Sequence, residues 1–317
     1  MTNPLIEAKN LRKYFKTPGG VLHAVEDVSF QIDSCRTLGV VGESGCGKST
    51  LGRTVLRLHE ATAGEVWFQG ENILKYNRKK MRDVHKNMQM IFQDPYSSLD
   101  PRMSVYNLIA EPVYEICGKS YSKQEVEEKI HQIMELCGLP LRYANRYPHE
   151  LDGGRRQRVG LARAMVVEPR FIVCDEPVSA LDVSIQAQIL NLLMDLQEQR
   201  GLAYMFITHD LCVVRHISDE IMVMYMGQVV EYASKEELFN HPLHPYTKAL
   251  LSAIPTTDLS RRSRIRYTLQ GEVASPVNPS PGCRFAPRCP YAEERCKGSC
   301  RLREVAPKHY VACHQFE

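Results

Sequence analysis

The stretch Leu38-Gly-Val-Val41-Gly42-Glu-Ser-Gly-Cys-Gly47-Lys48-Ser49-Thr50 decides the fold. Leu38–Val41 is a short apolar run of the buried-strand kind. The glycine-rich turn after it matches G-x4-G-K-[ST], and Leu51, Val55 and Leu58 then share one helical face. Strand, glycine loop and helix in that order are the context that gives this motif its meaning. The glycines let backbone N–H groups curl around phosphate oxygens, and the helix N-terminus adds a favourable dipole. Gly42, Glu43, Ser44, Gly45, Cys46, Gly47, Lys48, Ser49 and Thr50 are therefore nucleotide-binding candidates. Lys48 is expected on the β- and γ-phosphates and Ser49 on Mg2+. A glycine-rich turn that merely happens to carry a lysine would need neither flanking element. Cys46, close to a helix N-terminus, is expected to have a lowered pKa and a reactive thiol; an inert buried thiol is the alternative.

A second apolar run, Phe171-Ile-Val-Cys-Asp175-Glu176, ends in two acids, and strand ends are where α/β sheets place chemistry. Asp175 is expected to hold Mg2+, and Glu176 to polarise an attacking water as general base. Two surface acids at a strand end would be the plain reading if the pair stood alone.

Around these runs, short apolar strands alternate with helical stretches, which is the pattern of an α/β fold. Tyr204–Thr208 reads as another strand and Ile221–Ala233 as a hairpin turning near Gly227. Ser122 and Glu125 form a capping box for a helix carrying Val126, Ile130, Ile133 and Cys137 on one face, with Gly138 as its stop. From Ile254 to Cys283 the periodicity fades among Pro255, Pro276, Pro279 and Pro281, so the tail is expected to be ordered but irregular.

The chain has 317 residues, 44% hydrophobic, enough for one large domain or two modest ones. A net charge of +3 gives no reason to invoke nucleic acid. No apolar run reaches the roughly 18–20 residues that span a bilayer. The N-terminus has no signal-peptide core. The expectation is folding in the cytoplasm, with any membrane role carried by partners.

Further segments resemble the ABC transporter ATPases. His149-Glu-Leu151-Asp152-Gly153-Gly154-Arg155-Arg156-Gln157-Arg158 resembles their signature, whose usual core is L-S-G-G-Q. Gln93 in Ile-Phe-Gln-Asp-Pro looks like the Q-loop, Ser179-Ala-Leu-Asp182 like the D-loop, and His209 in Ile-Thr-His-Asp like the switch histidine. Tyr14 sits where the family places an aromatic residue against adenine. These pieces keep the family's order over about residues 5–233. The resemblance implies two such domains packed head to tail, with each ATP between one phosphate loop and the other domain's signature. Gln93 would sense Mg2+ and water, and His209 would contact the γ-phosphate. Asp152, Gly153, Gly154 and Asp182 would complete the partner's site. Asp152 stands where Ser is usual and Arg155 where Gln is usual. Asp152 either repels the γ-phosphate, making the two ATP sites unequal, or turns back to cap the following helix.

The tail narrows the resemblance. Glu237-Leu-Phe-Asn-His-Pro-Leu-His-Pro245-Tyr246-Thr247, Gly282-Cys283-Arg-Phe-Ala-Pro-Arg-Cys289-Pro-Tyr-Ala-Glu-Glu-Arg-Cys296 and Ala312-Cys313-His314 resemble the oligopeptide, dipeptide and nickel importer ATPases. The implied architecture is an α/β ABC-type ATPase domain over residues 1–233, with a helical subdomain at about 100–165, followed by a cysteine-rich C-terminal region over 234–317. The implied partners are a second ATPase subunit (in a heterodimer), two permeases and, indirectly, an extracytoplasmic binding protein, with the chain peripheral on the cytoplasmic face of the membrane. A non-transport ABC ATPase and an iron–sulfur sensor with a vestigial ATPase are the rivals.

Of the 11 cysteines, five crowd the segment after Gly282. Cytosolic thiols stay reduced, so such a cluster suggests metal ligation more than disulfides. Cys283, Cys289, Cys296 and Cys313 match the subfamily's pattern; Cys300 stands outside it. No C-x2–4-C pair typical of structural zinc occurs among the four. The wide spacing suits a [4Fe–4S] cluster, as the resemblance also implies, with zinc, a labile disulfide or free thiols as alternatives.

Overall fold

Thr37–Val41 forms the strand expected from its apolar run, and every residue in it is buried. The computed structural model describes residues 3–118, 121–179, 181–254, 271 and 275–316. Pro255 and its neighbours, expected in an irregular stretch, lie outside the described residues. The chain divides into two units, one of Met1–Ile6, Ile32–Arg36 and Trp67–Ile207, the other of Glu7–Gln31, Thr37–Val66 and Thr208–Glu317.

In the first unit, Met88–Ile91, Phe171–Asp175 and Ala203–Ile207 lie side by side as parallel strands. The last two are buried along their whole length. That is the signature of strands covered on both faces. Around them, the helix Val105–Pro112 meets Gly153–Met165, which also meets Lys123–Leu136 and Val183–Arg200. The capping box forms as expected. Ser122 N–H donates to Glu125 Oε2 at 2.6 Å and Glu125 N–H to Ser122 Oγ at 3.2 Å. Gly138 takes φ 66° and ends the helix.

In the second unit, Thr37–Val41 pairs in parallel with Glu220–Tyr225, with Val40 opposite Met222. Glu220–Tyr225 pairs antiparallel with Gln228–Ser234. The turn between them places Met226 at φ 45° and Gly227 at φ 83°, the left-handed pair that a tight hairpin requires. The helix after the glycine loop spans Lys48–Val55 and stops short of Leu58, which is 48% exposed. The expected apolar face therefore ends one turn early.

The tail is more regular than its composition suggests. His309–Val311 adds to the sheet beside Gln228–Ser234, and Arg303–Ala306 pairs with it in turn. The cause is Glu231, which is fully buried. Its carboxylate accepts His309 Nε2 at 2.8 Å and the N–H groups of Leu243 and His244 at 2.8 and 2.9 Å. A buried carboxylate needs such partners, and these pull the C-terminal strand into place. Tyr246 and Phe285 then share one core with Val41, Val223 and Tyr225.

Candidate functional site

In the second unit, Thr37–Val41 runs directly into the glycine loop. Gly42 takes φ 153° and Gly47 φ 103°. A Cβ on Gly42 would stand 2.2 Å from the Met224 carbonyl oxygen, and one on Gly47 2.0 Å from that of Ala24. Glycine alone fits either place. Lys48 opens the helix and is 5% exposed. Its Nζ donates to the carbonyls of Gly42 and Glu43 at 2.8 and 2.9 Å. The ammonium is thus held by the backbone of its own loop. Ser49 and Thr50 follow in the first turn of the helix.

Cys46 is buried, and burial pushes its thiol pKa up, with Lys48 3.8 Å away offsetting only part of the rise. The expectation of a lowered pKa is therefore corrected: the helix N-terminus and Lys48 favour a thiolate, but desolvation outweighs them.

Tyr14 stacks on His23, with ring centroids 4.1 Å apart and planes 25° off parallel. The Tyr14 hydroxyl donates to Glu26 Oε1 at 2.6 Å. Burial and that hydrogen bond raise its pKa to about 12. His209 is exposed at the turn after Thr208, whose N–H donates to the Val40 carbonyl at 3.1 Å. The residue before the histidine is thereby tied to the strand that feeds the glycine loop.

In the first unit, the register that sets Ile91 opposite Cys174 brings the ends of two strands together. Gln93 and Glu176 emerge there, and Gln93 Nε2 donates to Glu176 Oε2 at 3.1 Å. Asp175 is fully buried. Glu176 takes φ 46°, a left-handed conformation that is costly for a non-glycine residue. Its N–H donates to the Ile207 carbonyl at 2.9 Å, which holds the turn.

Asp152 caps the helix Gly153–Met165. Its Oδ1 accepts the Arg155 N–H at 2.8 Å, and its Oδ2 pairs with the Arg155 guanidinium. Of the two readings of Asp152, the structure contains the cap. Gly153 and Gly154 face Leu181 and Ile185, and a Cβ on Gly154 would stand 2.7 Å from Ile185. Asp182 caps the helix Val183–Arg200, accepting the Ile185 N–H at 3.0 Å. That hydrogen bond, then one from Ser184, holds its carboxyl below the usual range.

Cys283, Cys289, Cys296 and Cys313 line one nearly enclosed cavity of about 20 Å³ with Phe285, Tyr291 and Arg295. Cys300 is not among its lining residues. The topology thus gathers the four cysteines singled out by the sequence, a donor set suited to a soft metal. Among the described residues, however, no group of three or more Cys, His, Asp or Glu stands as a formed ion site. Burial raises the thiol pKa values of Cys283, Cys289 and Cys313.

The sequence reading missed the residues that hold the loop from the C-terminal side. Arg288 Nη1 and Nη2 lie 2.8 and 3.2 Å from the Glu43 carboxylate, and the Glu43 N–H donates to the Tyr246 hydroxyl at 2.8 Å. Arg284 Nη2 lies 2.8 Å from Glu26 Oε2. A signal existed only in the placing of both arginines between Cys283 and Cys289.

Residues 25–179 match the ABC transporter family, and residues 230–296 match the C-terminal region of oligopeptide/dipeptide transporters. Oligopeptide transport ATP-binding protein AppF of Bacillus subtilis is 48% identical over 98% of this chain and 97% of its own. OppF of the same organism is 49% identical over 100% and 98%, and OppF of Haemophilus influenzae 49% identical over 96% and 92%. Among solved structures, dimeric MJ0796, a bacterial ABC transporter cassette, is similar with TM-score 0.67 and 27% identity, covering 73% of this chain and 98% of that one. Its post-hydrolysis form bound to ADP and Pi is similar to the same degree, at 26% identity.

Proposed function

The chain belongs to the ATP-binding proteins of oligopeptide ABC transporters, and from that premise we propose that it binds and hydrolyses ATP to drive import of peptides or a related small cargo such as nickel. The observation that carries this is the loop Gly42–Thr50, with glycine obligatory at both hinges and Lys48 buried against the loop carbonyls.

Lys48 leaves the Gly42 and Glu43 carbonyls for the β- and γ-phosphates, and Tyr14 stacks on adenine. When bound, Mg2+ neutralises phosphate charge; Ser49, Gln93 and Asp175 are the residues that would hold it. Water attacks the γ-phosphorus, the bond to the β–γ bridging oxygen breaks, and ADP leaves with that electron pair. Glu176 takes the proton of the attacking water, with Gln93 orienting its carboxylate. His209 contacts the γ-phosphate as charge spreads over its oxygens. The signature Asp152-Gly153-Gly154 and Asp182 serve the nucleotide of a second ATPase subunit.

The chain is read as an ATPase domain, 1–233, and a C-terminal region, 234–317, a reading supported by family matches at 25–179 and 230–296. Two permeases and a heterodimeric partner ATPase complete the assembly, with this chain peripheral on the cytoplasmic face. No helix among the described residues is long and apolar enough to cross a membrane. Cys283, Cys289, Cys296 and Cys313 are the residues that would hold a [4Fe–4S] cluster, or zinc in its place, and their convergence on one cavity supports this. The cluster would pin the C-terminal region covalently.

The test is uptake of a labelled peptide by cells whose own copy is replaced with Lys48→Ala. Uptake and ATP hydrolysis should both fall to background, while uptake undiminished by the substitution would overturn the reading.

A further inference from the structure

The segment Gly282–Cys289 carries two arginines with covered side chains, Arg284 at 6% and Arg288 at 8% exposure. A buried guanidinium is costly unless paired, so what these two pair with is informative. Arg288 makes a two-point contact with Glu43, the second residue of the phosphate loop. That fork-to-carboxylate geometry is the strong, orienting form of the ion pair. Arg284 reaches Glu26 at 2.8 Å and also donates to the Met226 carbonyl. Glu26 is the carboxylate that accepts the Tyr14 hydroxyl at 2.6 Å and lies 2.5 Å from His23 Nδ1.

One short segment therefore grips both the phosphate loop and the support of the Tyr14 ring. At Glu43 the grip extends to the backbone. The N–H is committed to the Tyr246 hydroxyl and the carbonyl to Lys48 Nζ. With its carboxylate on Arg288, Glu43 is held through side chain and backbone alike, and its carbonyl is one of the two that hold the Lys48 ammonium.

We propose that Arg288, Tyr246 and Arg284 are positioning residues for the nucleotide, contributed by the C-terminal region and acting through Glu43 and Glu26. This rests on the ATP reading of the glycine loop. Phosphate-loop ATPases are usually described by the loop alone, whereas here the loop's shape is imposed by a region more than two hundred residues away in sequence. A tail that merely packs against the body would have no need to spend two buried cations on residues of the nucleotide site.

The experiment is equilibrium binding of MgATP to the purified full chain, with thermal melting in parallel. Arg288→Ala should raise the Kd about tenfold, and Glu43→Gln should do the same. The double variant should be no weaker than either single, because one interaction is being removed twice. Arg288→Lys, which keeps the charge but not the fork, should recover part of the loss. His309→Gln loosens the C-terminal strand without touching the loop, and should lower the melting temperature yet leave the Kd within about twofold. An unchanged Kd in Arg288→Ala overturns the proposal. So does a His309→Gln variant that loses as much affinity, since stability alone would then explain both. Should Arg288→Ala fail to fold, Arg288→Lys and Glu43→Gln decide between the same outcomes. Failure of the unaltered chain to bind MgATP would overturn the nucleotide reading itself, before any variant is compared.

Discussion

Gln93 Nε2 donates to Glu176 Oε2 at 3.1 Å, joining two residues that lie 83 positions apart in the chain. The contact follows from the parallel register of Met88–Ile91 and Phe171–Asp175. It orients a carboxylate that sits on strained backbone at φ 46°. Strain of this kind persists where the surroundings over-determine it, as at catalytic positions. Glu176→Gln keeps the shape but removes the base, so MgATP binding should survive while hydrolysis falls about 10²–10⁴-fold. Single-turnover rates check this, and near-normal turnover at the site built on Glu176 would refute its role as base.

Cys46 offers a second test. Its thiol is buried and its pKa raised, whereas Cys35 and Cys212 are exposed. An alkylating reagent at neutral pH should therefore label Cys35 and Cys212 well before Cys46, roughly tenfold or more faster, because reactivity needs access as well as thiolate and only these two are open to the reagent. Mass spectrometry of timed digests reads the order directly. Labelling of Cys46 first would show that desolvation does not control it.

The glycine loop was legible in the sequence because its chemistry is contiguous: strand, turn and helix lie within one short stretch. The acid pair was legible because an apolar run ends on it. What stayed hidden was contact across distance. Glu43 and Arg288 lie 245 positions apart and each is an ordinary charged residue in its own surroundings. His309-Tyr-Val311 carries too little pattern to announce a strand, and it pairs because buried Glu231 needs a partner. Cys46 misled for the converse reason. Local sequence shows a helix N-terminus and a lysine, but burial is a property of the whole fold.

The cysteines make a compositional prediction. Four thiols converging on one cavity suit an iron–sulfur cluster. Anaerobically purified protein should be brown and carry about four irons per chain. Cys→Ser at 283, 289, 296 or 313 should lose the iron, whereas Cys300→Ser should keep it. Stoichiometric zinc without iron would leave the convergence intact and replace the metal.

Glu26 makes a pH prediction. Burial alone would raise its pKa, but the Tyr14 hydroxyl, His23 and Arg284 outweigh it and the net shift is downward. Arg12 stands 3.8 Å off on the same side. A carboxyl whose folded pKa lies below its unfolded value, here 4.5, stabilises fully above that value and loses its share as pH falls through the folded one. Hydrogen bonds to a charged group are worth about 1.5–3 kcal/mol. Glu26→Gln should therefore melt below the parent chain at neutral pH, and the gap should close on acidification. Equal gaps at neutral and acid pH would show that the carboxylate's charge is not what matters.

Asp152 decides whether the altered signature has a cost. A bare carboxylate about 4 Å from a phosphate charge would be repelled by roughly 4 kcal/mol at an effective dielectric near 20. Asp152 is not bare. One oxygen accepts the Arg155 N–H at 2.8 Å and the other pairs with the Arg155 guanidinium, which also lies over the Tyr143 ring at 4.9 Å. The negative charge is thus matched within the first turn of its own helix. Serine caps a helix about as well as aspartate, so Asp152→Ser should leave the melting temperature unchanged, while Asp152→Ala should cost about 1 kcal/mol. Hydrolysis at the site served by this signature, read by single turnover with the other site silenced by Glu176→Gln, should change less than about threefold in Asp152→Ser. Arg155→Gln should slow that site about tenfold by leaving the carboxylate unmatched, since a tenfold change needs only about 1.4 kcal/mol of that repulsion. The double variant Asp152→Ser/Arg155→Gln should then recover the rate. A large gain from Asp152→Ser alone would show that the phosphate feels the carboxylate despite Arg155, and that the two ATP sites are unequal.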